Sequence, residues 1–98
     1  MGKIRFGLIG CGGMMKNHAE AINLLQEELE ITAVCDVAME RARSVAEVLN
    51  DPYVTTDYTT MLPYVDAVLV VLPHDLHFEC GMFFAKNKKH IFKRITGE

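Results

Sequence analysis

Residues Ala67 to Leu72, AVLVVL, are apolar without interruption between Asp66 and Pro73. A strand with that pattern must be covered on both faces, as a central strand of a parallel sheet is. Parallel neighbours need crossover connections, and the rest of the chain alternates in the required way. Ile4 to Ile9 reads as a buried strand. Met15, Ala19, Ile22, Leu25 and Leu29 recur at spacings of three and four, the signature of a helix with one buried face. Ile31 to Cys35 is a second strand, and Met39, Ala42, Val45, Ala46 and Leu49 mark a second amphipathic helix.

Asp51-Pro52 breaks the chain before a short strand, Tyr53 to Thr55. Asp57 is an N-cap for a short helix through Leu62, which Pro63 ends. Pro73 and Asp75 open a helix to about Asn87, and Ile91-Phe92 form a last short strand. With right-handed crossovers this is an α/β fold, a doubly wound parallel sheet of about five strands in the order 3-2-1-4-5. The pattern is in mid-course at Glu98, so the expectation is an incomplete domain.

Composition narrows the function. The 98 residues are 50% hydrophobic and 23% charged, which suits one small globular domain. A net charge of −3 argues against nucleic acid, which needs a basic face. The basic cluster from Lys86 to Arg94 reads as a solvated helix end. No apolar run approaches the ~20 residues of a membrane helix. Three cysteines without metal-ligand spacing point to a reduced, cytoplasmic protein. Cys11 and Cys35 are expected to lie near each other, as two inert thiols or as a redox pair.

The first strand runs into IGCGGMMKNH, a glycine-rich turn before a helix. This is the context in which a Rossmann-like fold holds a dinucleotide pyrophosphate. Gly10 allows the tight turn, and Gly12 lets the backbone approach the phosphates. The N–H groups of about Gly13 to Lys16, with Met14 and Met15 among them, then face the anion with the helix dipole behind them. Where the G-x-G-x-x-G fingerprint has its third small residue, this chain has Met15, whose flexible side chain can fold into an irregular gap. Asp36 ends the second strand about 24 positions beyond Gly12, close to the roughly 20 at which an acid meets the adenosine ribose. A carboxylate there accepts from the ribose hydroxyls and repels a 2′-phosphate. Val37 follows it and the nearest arginine is Arg41, so NAD is favoured over NADP. Asp36 as the cap of the second helix is the competing reading.

Together these segments resemble the Gfo/Idh/MocA family of oxidoreductases. IRFGLIGCGGMMKNHAEAI is similar to that family's opening strand, turn and helix, and ITAVCDVAMERARSVAE to its second strand, acid and "eRA" helix. TTDYTTMLPYVDAVLVVLPHDLHFE resembles its T-D-y-x-x-L…D-A-V-x-V-x-x-P-x-x-x-H segment, and KKHIF its GKHV run. The resemblance covers essentially the whole chain. It implies that Leu72, Pro73, His74 and His77 stand beside the nicotinamide, completing a cofactor set of Gly10, Gly12, Gly13, Met14, Met15 and Asp36. The family's fifth strand ends in a catalytic Glu-Lys-Pro. Here Arg94-Ile95-Thr96 stands in the gapless register, so no catalytic residue is carried over.

The resemblance therefore implies a chain whose residues 1–98 are a truncated N-terminal dinucleotide-binding domain, the C-terminal substrate domain being absent. Its parent would transfer hydride between the nicotinamide and a sugar, cyclitol or related polyol, with little or no turnover by the chain alone. Two alternatives stand beside it. One is a non-catalytic nucleotide-binding or assembly module, or inactive fragment, with homo-oligomerisation through an exposed sheet edge. The other is a Rossmann-type CoA-binding domain, in which Asp36 is a cap only.

Overall fold

The computed structural model describes residues 3–10, 17, 19–21, 24, 28–72 and 74–93, with backbone alone at 74–77 and 93. Five strands form one parallel sheet: β1 (Ile4–Ile9), β2 (Leu29–Cys35), β3 (Tyr53–Thr55), β4 (Ala67–Val70) and β5 (His90–Lys93). Their spatial order is β3-β2-β1-β4-β5, as the alternating pattern predicts. Helix α1 spans Met39–Ala46, a 3-10 helix spans Tyr58–Tyr64, and α2 spans His74–Lys86. Asn17 and residues 19–21 are also helical.

The apolar run explains the layering. Successive strand residues point to opposite faces, so β4 divides its side chains between two cores. Ala67 and Leu69 pack with Phe6, Leu8, Ala19, Ile31, Val34, Ala42 and Val45 on the α1 face. Val68 and Val70 pack with Ile9, Ala33, Cys35, Met61, Val65, Cys80 and Phe84, under the 3-10 helix and α2. Neither face of the sheet's centre is wet.

Several elements differ from their sequence reading. Leu29 belongs to β2 and not to the preceding helix: it lies opposite Ile4, whose N–H bonds the Glu28 carbonyl at 3.0 Å. Backbone pairing with β1 outweighs the helical spacing. Met15, Ile22 and Leu25, which set that spacing, lie outside the described residues. The helix after Asp57 passes through Pro63 to Tyr64. Its cap is as expected, with the Asp57 carboxylate accepting from the Thr59 N–H at 3.0 Å. The winding is 3-10, a tighter, short-run helix with i→i+3 bonds, and it ends one residue beyond Pro63. Strand β4 ends at Val70, although the Val71 N–H still bonds the Ile9 carbonyl at 2.8 Å. The register of β1 and β2 also shifts between Phe6 and Gly7, so Thr32 is passed over as an extra residue. Its hydroxyl donates to the Tyr64 carbonyl at 2.6 Å, tying this bulge to the end of the 3-10 helix.

Helix α2 ends with Lys86 in its last turn, and Lys88 follows at φ 62°. The Lys89 N–H reaches back to the Phe84 carbonyl at 2.9 Å. Only Lys86 to Lys89 of the basic cluster are thus a helix end, for which a left-handed residue supplies the stop; Lys93 lies in β5, and Arg94 lies outside the described residues.

Candidate cofactor site

The site is built where the strands end. Gly10 follows β1 at φ 92°, a conformation L side chains avoid. Its N–H donates to the Cys35 carbonyl at 2.9 Å, so the turn is pinned to the end of β2. On the other side a Cβ at this position would lie 2.0 Å from the Val71 carbonyl oxygen. The backbone is therefore gripped between the ends of β2 and β4, and no side chain fits. Gly12, Gly13, Met14 and Met15 lie outside the described residues, as does Cys11. Beyond them the chain is helical by Asn17, and fully buried Ala19 packs this helix on the α1 face of the sheet. Strand, glycine turn and helix thus follow one another as phosphate binding requires.

Asp36 is one residue beyond β2. Its N–H donates to the Thr55 carbonyl at 3.3 Å, and its side chain is only 6% exposed. The N-cap of α1 is Ala38, which makes no side-chain cap bond. Asp36 is therefore not the cap residue; its Oδ1 accepts from the Ala38 N–H at 2.8 Å, in the turn before the helix. The same oxygen accepts from Arg41 Nε at 3.2 Å and is 3.0 Å from a terminal guanidinium nitrogen. Sequence reading notes Arg41 only as the nearest arginine. The structure brings it back across the first turn of α1 onto the acid.

Gly10, Asp36 and Leu72 line one cleft of about 220 Å³, with Ile9, Cys35, Val37, Thr56, Asp57, Tyr58 and Glu79 as the other described lining residues. It opens at the C-terminal ends of β1 to β4, the crevice in which open parallel sheets bind ligands. Three sequence-named residues from three separate segments converge here. His74 and His77 occupy the first turn of α2, just past β4; Pro73 and the two histidine side chains are outside the described set.

Tyr58, Asp57 and Glu79 were not anticipated as lining. Burial pushes the Tyr58 hydroxyl above its ordinary pKa, and the charges of Cys80, Glu79, Asp57 and Cys35 add to this. It stays a neutral donor at working pH. The Asp57 carboxyl is held below its usual range by the Thr59 hydroxyl and N–H. Val37 is 81% exposed at the rim, an apolar surface beside the acid.

The residues present fit a dinucleotide: a turn that admits no Cβ, a helix after it, and a buried carboxylate at the end of the next strand. This defines the class, a doubly wound dinucleotide-binding domain. Residues 4–93 match the oxidoreductase family Gfo/Idh/MocA, NAD-binding Rossmann fold, and the chain belongs to that family as its NAD-binding domain. It is 34% identical to a myo-inositol 2-dehydrogenase of Thermotoga maritima, over 91% of this chain and 27% of that protein. Among solved structures, an oxidoreductase from Thermotoga maritima superposes with a TM-score of 0.88 at 30% identity, over 94% of this chain and 29% of that one. The myo-inositol dehydrogenase of Lactobacillus casei, solved with NAD(H) and myo-inositol, gives 0.84 at 29% identity, over 94% of this chain and 28% of that one. The chain thus spans little more than a quarter of the length of such relatives. Among the described residues no helix is long and apolar enough to cross a membrane.

Proposed function

We propose that this chain is the cofactor-holding part of a cytoplasmic oxidoreductase that transfers hydride between NAD and a secondary alcohol of a sugar, cyclitol or related polyol. The observation that carries this reading is the convergence of Gly10, buried Asp36 and Leu72 on one cleft at the strand ends. The inositol dehydrogenases among its relatives support the substrate class.

In this reading the turn from Gly10 through Gly12, Gly13, Met14 and Met15 offers backbone N–H groups to the pyrophosphate. Asp36 accepts from the ribose hydroxyls, and exposed Val37 packs on the adenine. Leu72, Pro73, His74 and His77 border the nicotinamide. The cofactor supplies the hydride-accepting carbon; the chain binds and orients it. The polyol pocket is assigned to sequence outside these 98 residues, and the chain alone is expected not to turn over.

The test is a calorimetric titration of the folded chain with NAD, beside Asp36→Ala. Saturable binding that weakens about tenfold in the variant, equivalent to about 1.4 kcal/mol, is expected. Absence of NAD binding to folded protein overturns the assignment. Exposed Phe78, Met82 and Phe92 favour a second reading, an assembly module whose apolar side chains meet another surface. A sedimentation coefficient independent of concentration counts against self-association through them.

A further inference from the structure

Helix α2 is apolar on two sides. On the inner side Cys80 and Phe84 are buried in the core between the helix and the sheet, and Gly81 is buried beside them. The outer side carries Phe78 at 69% exposure and Met82 at 47%, with exposed Ala85 next in the row. Spacings of four and three put these residues on one face. Single exposed apolar side chains are ordinary. A row of them on a helix whose opposite side already fills the core is a second contact surface, because a helix that is apolar all round is normally covered all round.

The charges beside the row fit one occupant. Glu79 and Lys86 are both exposed, and their separation of seven residues, two turns, puts them on the same flank of the row. They stand about 10 Å apart along the axis, beyond the three- and four-residue spacings at which side chains pair within one helix. A second α2 laid antiparallel, with a two-fold axis passing between Met82 and Phe83, reverses their order. Glu79 then faces the partner's Lys86, and Lys86 faces the partner's Glu79. Met82 meets the partner's Met82 at the axis, and Phe78 lies over the partner's Ala85, a large side chain on a small one. One patch thus complements itself in shape and in charge, which is what an isologous interface requires. Phe92, exposed on β5, offers no such match: β5 runs from His90 to Lys93 and follows Lys88 and Lys89, so two copies joined there bring basic residues together.

We propose that the outer face of α2 is a docking surface for a second copy of this chain, an antiparallel two-fold seam of Phe78, Met82 and Ala85 flanked by two Glu79–Lys86 pairs. The inference rests on the assembly reading and narrows it to one helix; the cofactor reading stands apart from it. A seam of one helix per copy is small, so the dimer is weak and exchanges readily.

The experiment is sedimentation equilibrium of the folded chain under reducing conditions, with circular dichroism on every variant. Wild type is expected to pass from monomer to dimer as concentration rises. Met82→Glu should weaken the dimer at least tenfold, and Phe92→Thr should leave it unchanged. Lys86→Glu replaces two attractive contacts by two repulsive ones and should weaken it about tenfold. Adding Glu79→Lys to Lys86→Glu should restore dimerisation, yet this double variant should not form mixed dimers with wild type, because like charges then oppose each other on both flanks. Dimers indifferent to Met82→Glu, or a double variant that stays as weak as Lys86→Glu, overturn the seam while leaving assembly through another surface. Open-ended oligomers overturn it as well, since a two-fold seam closes on itself. Wild type monomeric at every concentration overturns the seam and the assembly reading together, and NAD binding by that monomer leaves the cofactor reading intact.

Discussion

Arg5 and Asp66, 61 residues apart in sequence, join the N-terminal ends of β1 and β4 by side chain and backbone together. The guanidinium forks onto the carboxylate, the Arg5 N–H donates to Asp66 Oδ2 at 3.0 Å, and the Asp66 N–H returns a bond to the Arg5 carbonyl at 2.7 Å. A second guanidinium nitrogen reaches the Pro63 carbonyl at 3.0 Å, drawing in the end of the 3-10 helix. This clamp lies at the end of the sheet opposite the cleft.

The clamp predicts a particular acid sensitivity. Hydrogen bonds from the Arg5 side chain and backbone hold the Asp66 carboxyl down at about 2, against an ordinary value of 3.8. Its folded pKa is depressed, so its contribution is complete above the unfolded value and is lost as pH falls through the folded one. In urea unfolding from pH 6 to 2, wild type should therefore exceed Asp66→Asn by a constant margin down to about pH 4, and the margin should close towards pH 2. Both side chains are 43% exposed, so the margin is modest and shrinks with salt. Asp57, also depressed, leaves some acid sensitivity in the variant. Identical pH slopes for the two proteins would rule out the clamp as its source.

Two glycines should respond differently to the same methyl group. At Gly7 the added Cβ meets Met61 Cε at 2.7 Å and Val65 Cγ1 at 2.8 Å, side-chain atoms of which the methionine end can move. Gly7→Ala should cost about 1–3 kcal/mol, as overpacking usually does. At Gly10 the obstacle is backbone, the Val71 carbonyl, and φ is positive as well. Gly10→Ala should cost more than Gly7→Ala in thermal denaturation and abolish NAD binding in whatever folds. Equal stability losses would contradict the grip described at the turn.

Lys88 offers a gain. It holds φ 62° just after α2, where the resembling GKHV run has glycine. A left-handed conformation costs an ordinary residue about 1–2 kcal/mol. Part of that is returned by glycine's larger unfolded-state entropy, so Lys88→Gly should raise stability by about 0.5–1 kcal/mol. A lower urea midpoint in the variant would contradict this.

The thiols predict a reactivity pattern. Cys35 and Cys80 are both buried and form no disulfide. In a Cys11→Ser background, a thiol reagent should label neither until denaturant is added. Fast labelling of either in the native protein would show that the core beneath the cleft opens readily.

Much of this was legible in the sequence because the apolar runs are bounded by strong punctuation. Asp51-Pro52 delimits β3, which is Tyr53–Thr55 as read, and the run at Ala67 announces the buried centre. What escaped depends on partners distant in the chain. Leu29 looks helical until Ile4 is opposite it, and the Thr32 bulge has no local signature. Asp36 could be picked out because a strand end is a local event. Tyr58 and Glu79 could not, since they reach the cleft only after the 3-10 helix and α2 fold over the sheet. The Arg41 contact lay between these cases: an acid at a strand end and an arginine five residues on, in the first turn of a helix, was a usable signal.

The placement of β1 between β2 and β4 also sets a timetable for the nascent chain. β1 can pair with β2 once residue 35 is available, but its other edge must wait for β4, which ends at Val70. At ordinary elongation rates of about 5–20 residues per second, that interval lasts on the order of seconds. Throughout it the strand that will become the centre of the sheet has one edge open to any passing partner. The same topology that gives β1 a partner on each edge makes it the segment most in need of protection at birth.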